Sequence, residues 1–129
     1  MKILAMDTAG PRLNLSLYED TALLGKVSLS GVKNHSVILL PALEHLLEDS
    51  KIKIKEIDRI VVTKGPGSYT GLRIGVTFAK TLAWTLKKEL VGMSTLEVLA
   101  ANLPNDGLVA PIIDARRQNV YTGLYEKIN

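Results

Sequence analysis

The spacing of apolar and polar positions divides the chain into a run of short strands followed by strand–helix units. Residues 3–6 form a short apolar run closed by the turn-rich Asp7-Thr8-Ala9-Gly10-Pro11. Residues 12–18 then alternate, with Leu13, Leu15 and Leu17 on one face and Asn14 and Ser16 on the other. That is the pattern of a half-buried antiparallel strand. Glu19-Asp20 reads as a tight turn and residues 22–29 as a third strand, so the chain opens with a meander. Helical spacing follows in Val37, Leu40, Leu43 and Leu47, with Asn34 or Ser36 as the cap. Pro41 falls inside this run, where it kinks the helix or marks its first turn.

Residues 51–59 alternate Lys with Ile and read as a solvated connector. Residues 60–63 are a buried strand entering a glycine-rich loop, 65–71, and a second helix runs from about residue 70 to 87. Residues 90–92 form a short strand and 95–101 a short helix; strands at 109–114 and 120–125 close the chain. The order βββαβαβα, then ββ, predicts an α/β fold with helices packed on a mixed sheet.

Composition narrows the chemistry. At 129 residues with 47% hydrophobic content, the chain has enough apolar surface for a core and is not a disordered segment. The absence of Cys excludes a disulfide scaffold, a thiol nucleophile and a cysteine-ligated metal. Two His are too few for a zinc site without carboxylates or a partner's ligands, and His35 and His45 lie ten apart in sequence. On a helix they would point about 80° from one another, so both read as solvent-facing or capping. The net charge of +3 is too small on its own to imply nucleic acid. The start reaches Asp7 after only a few apolar residues, unlike a signal peptide, and no stretch is long and apolar enough for a membrane span. A cytoplasmic protein is the expectation.

Residues 64–75, Lys-Gly-Pro-Gly-Ser-Tyr-Thr-Gly-Leu-Arg-Ile-Gly, are the most informative stretch. A strand feeding glycines and then a helix can hold a phosphate on backbone N–H groups, with Asp7, Gly65, Gly67 and Ser68 as candidate contacts. It is not a P-loop, because no Gly-Lys-Ser/Thr follows, and its glycine spacing is one residue too long for a dinucleotide fingerprint. Within the helix, Gly71, Gly75, Ala79 and Ala83 fall four apart and make a ridge of small residues. A helical Gly costs on the order of 1 kcal/mol relative to Ala, so close approach of another backbone is expected there. The remaining faces are apolar too, so one can rest on the sheet and the other needs a neighbour, either the first helix or a partner protein.

The glycine segment, Met6-Asp7-Thr8-Ala9, His35-Ser36 with Leu39-Leu40-Pro41, and Ile113-Asp114-Ala115-Arg116-Arg117 together resemble the TsaB (YeaZ) family of M22 glycoprotease-like proteins. The resemblance covers residues 1 to about 125. It implies an actin-like (ASKHA, ribonuclease H-like, Hsp70-type) fold, with residues 1–104 as the first lobe and 108–129 as the first two strands of a second. It also implies a non-catalytic partner of TsaD which, with the ATPase TsaE, transfers threonylcarbamoyl to adenosine 37 of tRNAs reading ANN codons. ATP or ADP and metal would then be present only in the complex, and tRNA would be met only through it. TsaD itself carries two metal-binding His one turn apart, and here Thr95 and Leu99 take those places.

Partner-binding residues on this reading are Gly71, Gly75, Ala79 and Ala83, with Leu39, Leu43, Phe78 and Trp84 around them; the same surface would form a homodimer in isolation. No catalytic residue and no metal ligand is expected. The rival reading is an enzyme, either an M22-type peptidase or an actin-like nucleotide hydrolase. Lys and Arg look dispersed, without an aromatic-interleaved basic patch, so direct RNA binding through Arg116 and Arg117 is not expected.

Overall fold

The alternation of residues 13–18 becomes strand β2 (Leu13–Glu19), which pairs antiparallel with both β1 (Lys2–Asp7) and β3 (Ala22–Leu29). The computed structural model describes residues 1–30 and 35–128; the expected cap Asn34 lies outside them. β4 (Arg59–Thr63) joins the other side of β1 in parallel, and β5 (Glu89–Met93) joins β4 in parallel. The result is a five-stranded mixed sheet of order β3-β2-β1-β4-β5.

One face of this sheet carries the core. Leu4 pairs with Leu17 and Ile60, and Met6 with Leu15 and Val62, so the buried side chains of three strands form rows on one side. Helices α1 (His35–Ser50) and α2 (Tyr69–Leu86) both cover that face, α1 over β2 and β3, and α2 over β1, β4 and β5. The β4–α2–β5 crossover is the ordinary parallel unit, which needs a helix to return the chain across the sheet.

The helical stripe of α1 differs from the expected one. Leu39, Ala42, Leu43 and Leu46 face the core, whereas Val37 and Leu40 are exposed. The apolar run is nearly continuous from Val37 to Leu43, so periodicity alone does not decide which residues turn inward. Helix α1 passes through Pro41 without ending. Proline removes the bond to the carbonyl four residues back, here Val37, and both residues lie on the exposed side where water can replace it.

The connector is also less solvated than its charge suggests. It holds a short 3-10 turn, Ile54–Glu56, and its isoleucines point inward: Ile57 is fully buried and Ile52 and Ile54 pack against the core.

After β5 comes helix α3 (Thr95–Ala101), and then four short strands where two were expected. β6 (Gly107–Val109) pairs with β9 (Tyr125–Lys127), and β7 (Ile112–Arg116) with β8 (Asn119–Thr122), giving two separate two-stranded sheets. Pro111 interrupts the first expected strand and Gly123 the second, as residues without an N–H or without a side chain do. Several apolar positions of this region, including Leu108, Ile112 and Leu124, are largely exposed.

Candidate functional site

The glycine loop is built against the end of β1. Gly67 has to be glycine because a Cβ there would lie 2.7 Å from the Ala9 carbonyl oxygen. That carbonyl accepts the Ser68 N–H at 2.7 Å, tying the loop to the turn after β1. Ser68 then caps α2, its hydroxyl accepting the Gly71 N–H at 3.2 Å.

Thr8 completes the junction. It is fully buried, and its hydroxyl donates to the Gly71 carbonyl at 2.6 Å. A side chain at Gly71 would collide with the Thr8 carbonyl, and one at Gly75 with the Thr8 side chain. The glycines of the small-residue ridge therefore face the end of the sheet. Gly71, Gly75, Ala79 and Ala83 are all buried, and the glycines receive Thr8 at the end of β1 of the same chain. Close approach was the right reason for the glycines, and at Gly71 and Gly75 the end of β1 supplies it.

Leu39 and Leu43, also expected at a partner surface, are core residues, and Phe78 is half-buried against the same core. Of that group Trp84 alone is presented to solvent, at 84% exposure. On α1 the outward apolar side chains are instead Val37 and Leu40, 64% and 49% exposed, beside Pro41.

Asp7 is directed at its own surroundings. Its Oδ1 accepts the Ala9 N–H at 2.9 Å and the Thr63 hydroxyl at 2.8 Å, so it orders the turn between the ends of β1 and β4. A cavity of about 890 Å³ lies between the glycine loop and the β7–β8 hairpin. Gly67 and Ser68 line it together with His35, Asp114 and Arg116, whereas Asp7 and Gly65 do not. Asp114 is engaged with its own hairpin, Oδ1 accepting the Arg116 N–H at 2.8 Å.

The two histidines part ways. His45 faces solvent and lies 3.1 Å from Asp49, one turn along α1. His35 was expected to face solvent or cap, yet it is only 9% exposed, and its Nδ1 has no hydrogen-bond partner among the described residues. His35 lines the same cavity as Gly67 and Ser68, a proximity that spacing alone does not reveal. Among the described residues no three His, Asp or Glu side chains come together in a way that could hold a metal ion. Thr95 is buried and Leu99 partly exposed at the start and end of the segment where the resemblance places the histidine pair of TsaD.

Folding also assembles a feature that the linear sequence disguised. Tyr69, Arg73, Lys80 and Trp84 lie on the exposed side of α2, with the Arg73 guanidinium 5.7 Å from the Tyr69 ring centre. Two basic residues that look dispersed along the chain thus fall between two aromatics on one helix face, because residues three, four or seven apart lie on one side of a helix. No Asp or Glu occurs between Tyr69 and Leu86.

Comparison with known proteins adds a family to this geometry. A family model described as "TsaD: tRNA N6-adenosine threonylcarbamoyltransferase" matches residues 23–129. A Bacillus subtilis protein named tRNA threonylcarbamoyladenosine biosynthesis protein TsaB is 49% identical over 130 residues, covering 100% of this chain and 57% of that protein. The solved structure of YeaZ from Pseudomonas aeruginosa superposes with a TM-score of 0.87 at 30% identity, covering 98% of this chain and 60% of that one. A ROK hexokinase from Thermus thermophilus matches with a TM-score of 0.59 at 14% identity, a likeness of fold alone, which is the actin-like one. The chain thus spans less than two thirds of the length of these TsaB and YeaZ relatives. It belongs to the tRNA N6-adenosine threonylcarbamoyltransferase (TsaD) family, as a member of the TsaB/YeaZ type.

Proposed function

We propose that this chain is a non-catalytic docking subunit in the transfer of threonylcarbamoyl to adenosine 37 of tRNA, and that it binds a TsaD-type catalytic subunit in the cytoplasm. The observation that carries the reading is the outer edge of α1. Val37, Leu40 and Pro41 are spaced as neighbours on one helix face and are exposed, while the opposite side of the same helix is core. A helix with apolar side chains left on its outer face offers ridges for a second helix to pack into.

Asp7 and Ser68 support the same conclusion, because each side chain already serves the backbone: one orders a turn and the other caps α2. ATP or ADP and metal enter with TsaD and the ATPase TsaE, and any phosphate meeting Gly67 and Ser68 in the cavity does so in that assembly. Without a partner, the α1 edge pairs two copies of the chain through an isologous interface.

The test is co-purification with TsaD. Wild-type chain is expected to elute with it as a stoichiometric complex. The double variant Val37→Asp, Leu40→Asp should elute separately while melting at the wild-type temperature, because both side chains are exposed. Retained binding by that variant would remove the α1 edge from the proposal.

A further inference from the structure

We propose that Asp106 is a self-modification site, at which the chain isomerises to isoaspartate and becomes a substrate for an isoaspartate-specific carboxyl methyltransferase. Asp106 is the one Asp of the sequence that is followed by Gly. That neighbour matters because the attacking atom is the backbone nitrogen of the next residue, which a Cβ would crowd. Asp106 and Gly107 are both exposed, in the loop that leads from the end of α3 to the start of β6. A Cβ built on Gly107 would meet nothing within 4 Å, so the space around its backbone is open.

The other Asp side chains are engaged. Asp7 accepts the Ala9 N–H and the Thr63 hydroxyl, Asp58 the Lys2 N–H, and Asp114 the Arg116 N–H. Asp20 pairs with the Met1 amine, and Asp49 lies 3.1 Å from His45 within α1. The Asp106 carboxylate has no hydrogen bond or ion pair among the described residues, which leaves it free to turn back on the backbone. The start of its loop is tied down, with Lys127 Nζ donating to the Ala101 and Leu103 carbonyls, but these bonds stop short of Asp106.

The reaction needs no reagent besides water. The Gly107 amide nitrogen attacks the Cγ of the protonated Asp106 carboxyl; the N–Cγ bond forms, and the carboxyl hydroxyl leaves with the amide proton as water. The resulting five-membered succinimide is then opened by water. Opening at the main-chain carbonyl leaves the chain running through Cγ, with a free α-carboxylate for the methyltransferase to esterify. One carbon is thereby added to the backbone beside β6, whose ladder with β9 runs only from Gly107–Lys127 to Val109–Tyr125.

The test is to age the chain for several weeks in neutral buffer, folded and in urea. Isoaspartate is read by the methyltransferase with a radiolabelled methyl donor and located by tandem mass spectrometry. In the folded chain it is expected at position 106 alone, forming within about tenfold of the rate in urea, because no bond has to open first. Asp106→Glu should lose the signal, since its extra methylene disfavours the ring, and Asp106→Asn should gain it faster, with ammonia as the leaving group. A folded-state rate at position 106 more than about tenfold below that in urea would overturn the proposal, by showing that pairing with Lys127 locks the Gly107 nitrogen. Labelling that persists unchanged in Asp106→Glu would overturn it too, as would isoaspartate appearing first at Asp49, Asp114 or an Asn.

Discussion

Replacing Gly71 or Gly75 by alanine separates two kinds of close contact made by a single residue. At Gly71 the added methyl meets the Thr8 carbonyl, part of the backbone of a buried strand end, so α2 or the β1 turn has to move. Overpacking of this kind costs about 1–3 kcal/mol, and a position in the first helical turn regains little helix propensity. At Gly75 the methyl meets the Thr8 side chain, which can turn away only by giving up its buried bond to the Gly71 carbonyl. Leaving the buried Thr8 hydroxyl without its acceptor costs about 1–3 kcal/mol, offset by up to about 1 kcal/mol from replacing a mid-helix glycine.

Gly71→Ala is therefore expected to lose about 2–3 kcal/mol and Gly75→Ala about 1–2 kcal/mol, measured by urea unfolding. The discriminating step is a double-mutant cycle with Thr8→Ala. Removing the Thr8 side chain should relieve most of the added cost of Gly75→Ala and almost none of that of Gly71→Ala, whose obstacle is backbone. Wild-type stability for Gly71→Ala would refute the reasoning. Equal coupling of Thr8→Ala to both glycines would refute it as well.

Other substitutions test the assignment of faces and caps. Ser68→Ala should cost about 1 kcal/mol in chemical unfolding through loss of the α2 cap. Leu43→Ala should cost about 2–5 kcal/mol by leaving a core cavity, whereas Leu40→Ala, only three residues away, should stay within about 0.5 kcal/mol. Asp58 has its pKa lowered from 3.8, first by the Lys2 N–H and further by the N-terminus, Lys88 and Lys2. A depressed carboxylate stabilises the fold above its unfolded value, and that contribution is lost as pH falls through the folded value. Asp58→Asn should thus lower the melting temperature at neutral pH, and the difference from wild type should close in strongly acid solution.

Much of the architecture was legible because it rests on local rules. The alternation at Leu13, Leu15 and Leu17 set the inward face of β2, and the glycine-led helix announced close packing before its neighbour was visible. What stayed hidden depends on tertiary context. An apolar run from Val37 to Leu43 satisfies several helical phases, and only the position of β2 and β3 decides that Leu39 and Leu43 turn inward while Val37 and Leu40 turn outward. Four small residues spaced four apart on α2 fit a partner helix as well as a strand end, and the deciding group, Thr8, lies more than sixty residues from the ridge. The β7–β8 hairpin owes its separation from β6 and β9 to Pro111 and Gly123, single residues inside otherwise apolar runs. The aromatic and basic stripe on α2 was missed for a related reason: counted along the chain its members look scattered, and only helical geometry aligns them.

A docking role is tested most directly by a reconstituted transfer assay, in which threonylcarbamoyl incorporation into tRNA is followed with TsaD, TsaE and this chain added singly and together. Incorporation should require TsaD, rise sharply when the chain joins it, and be lost again with Val37→Asp, Leu40→Asp. Incorporation by the chain without TsaD, or rates with TsaD and TsaE that do not respond to the chain, would contradict a docking subunit.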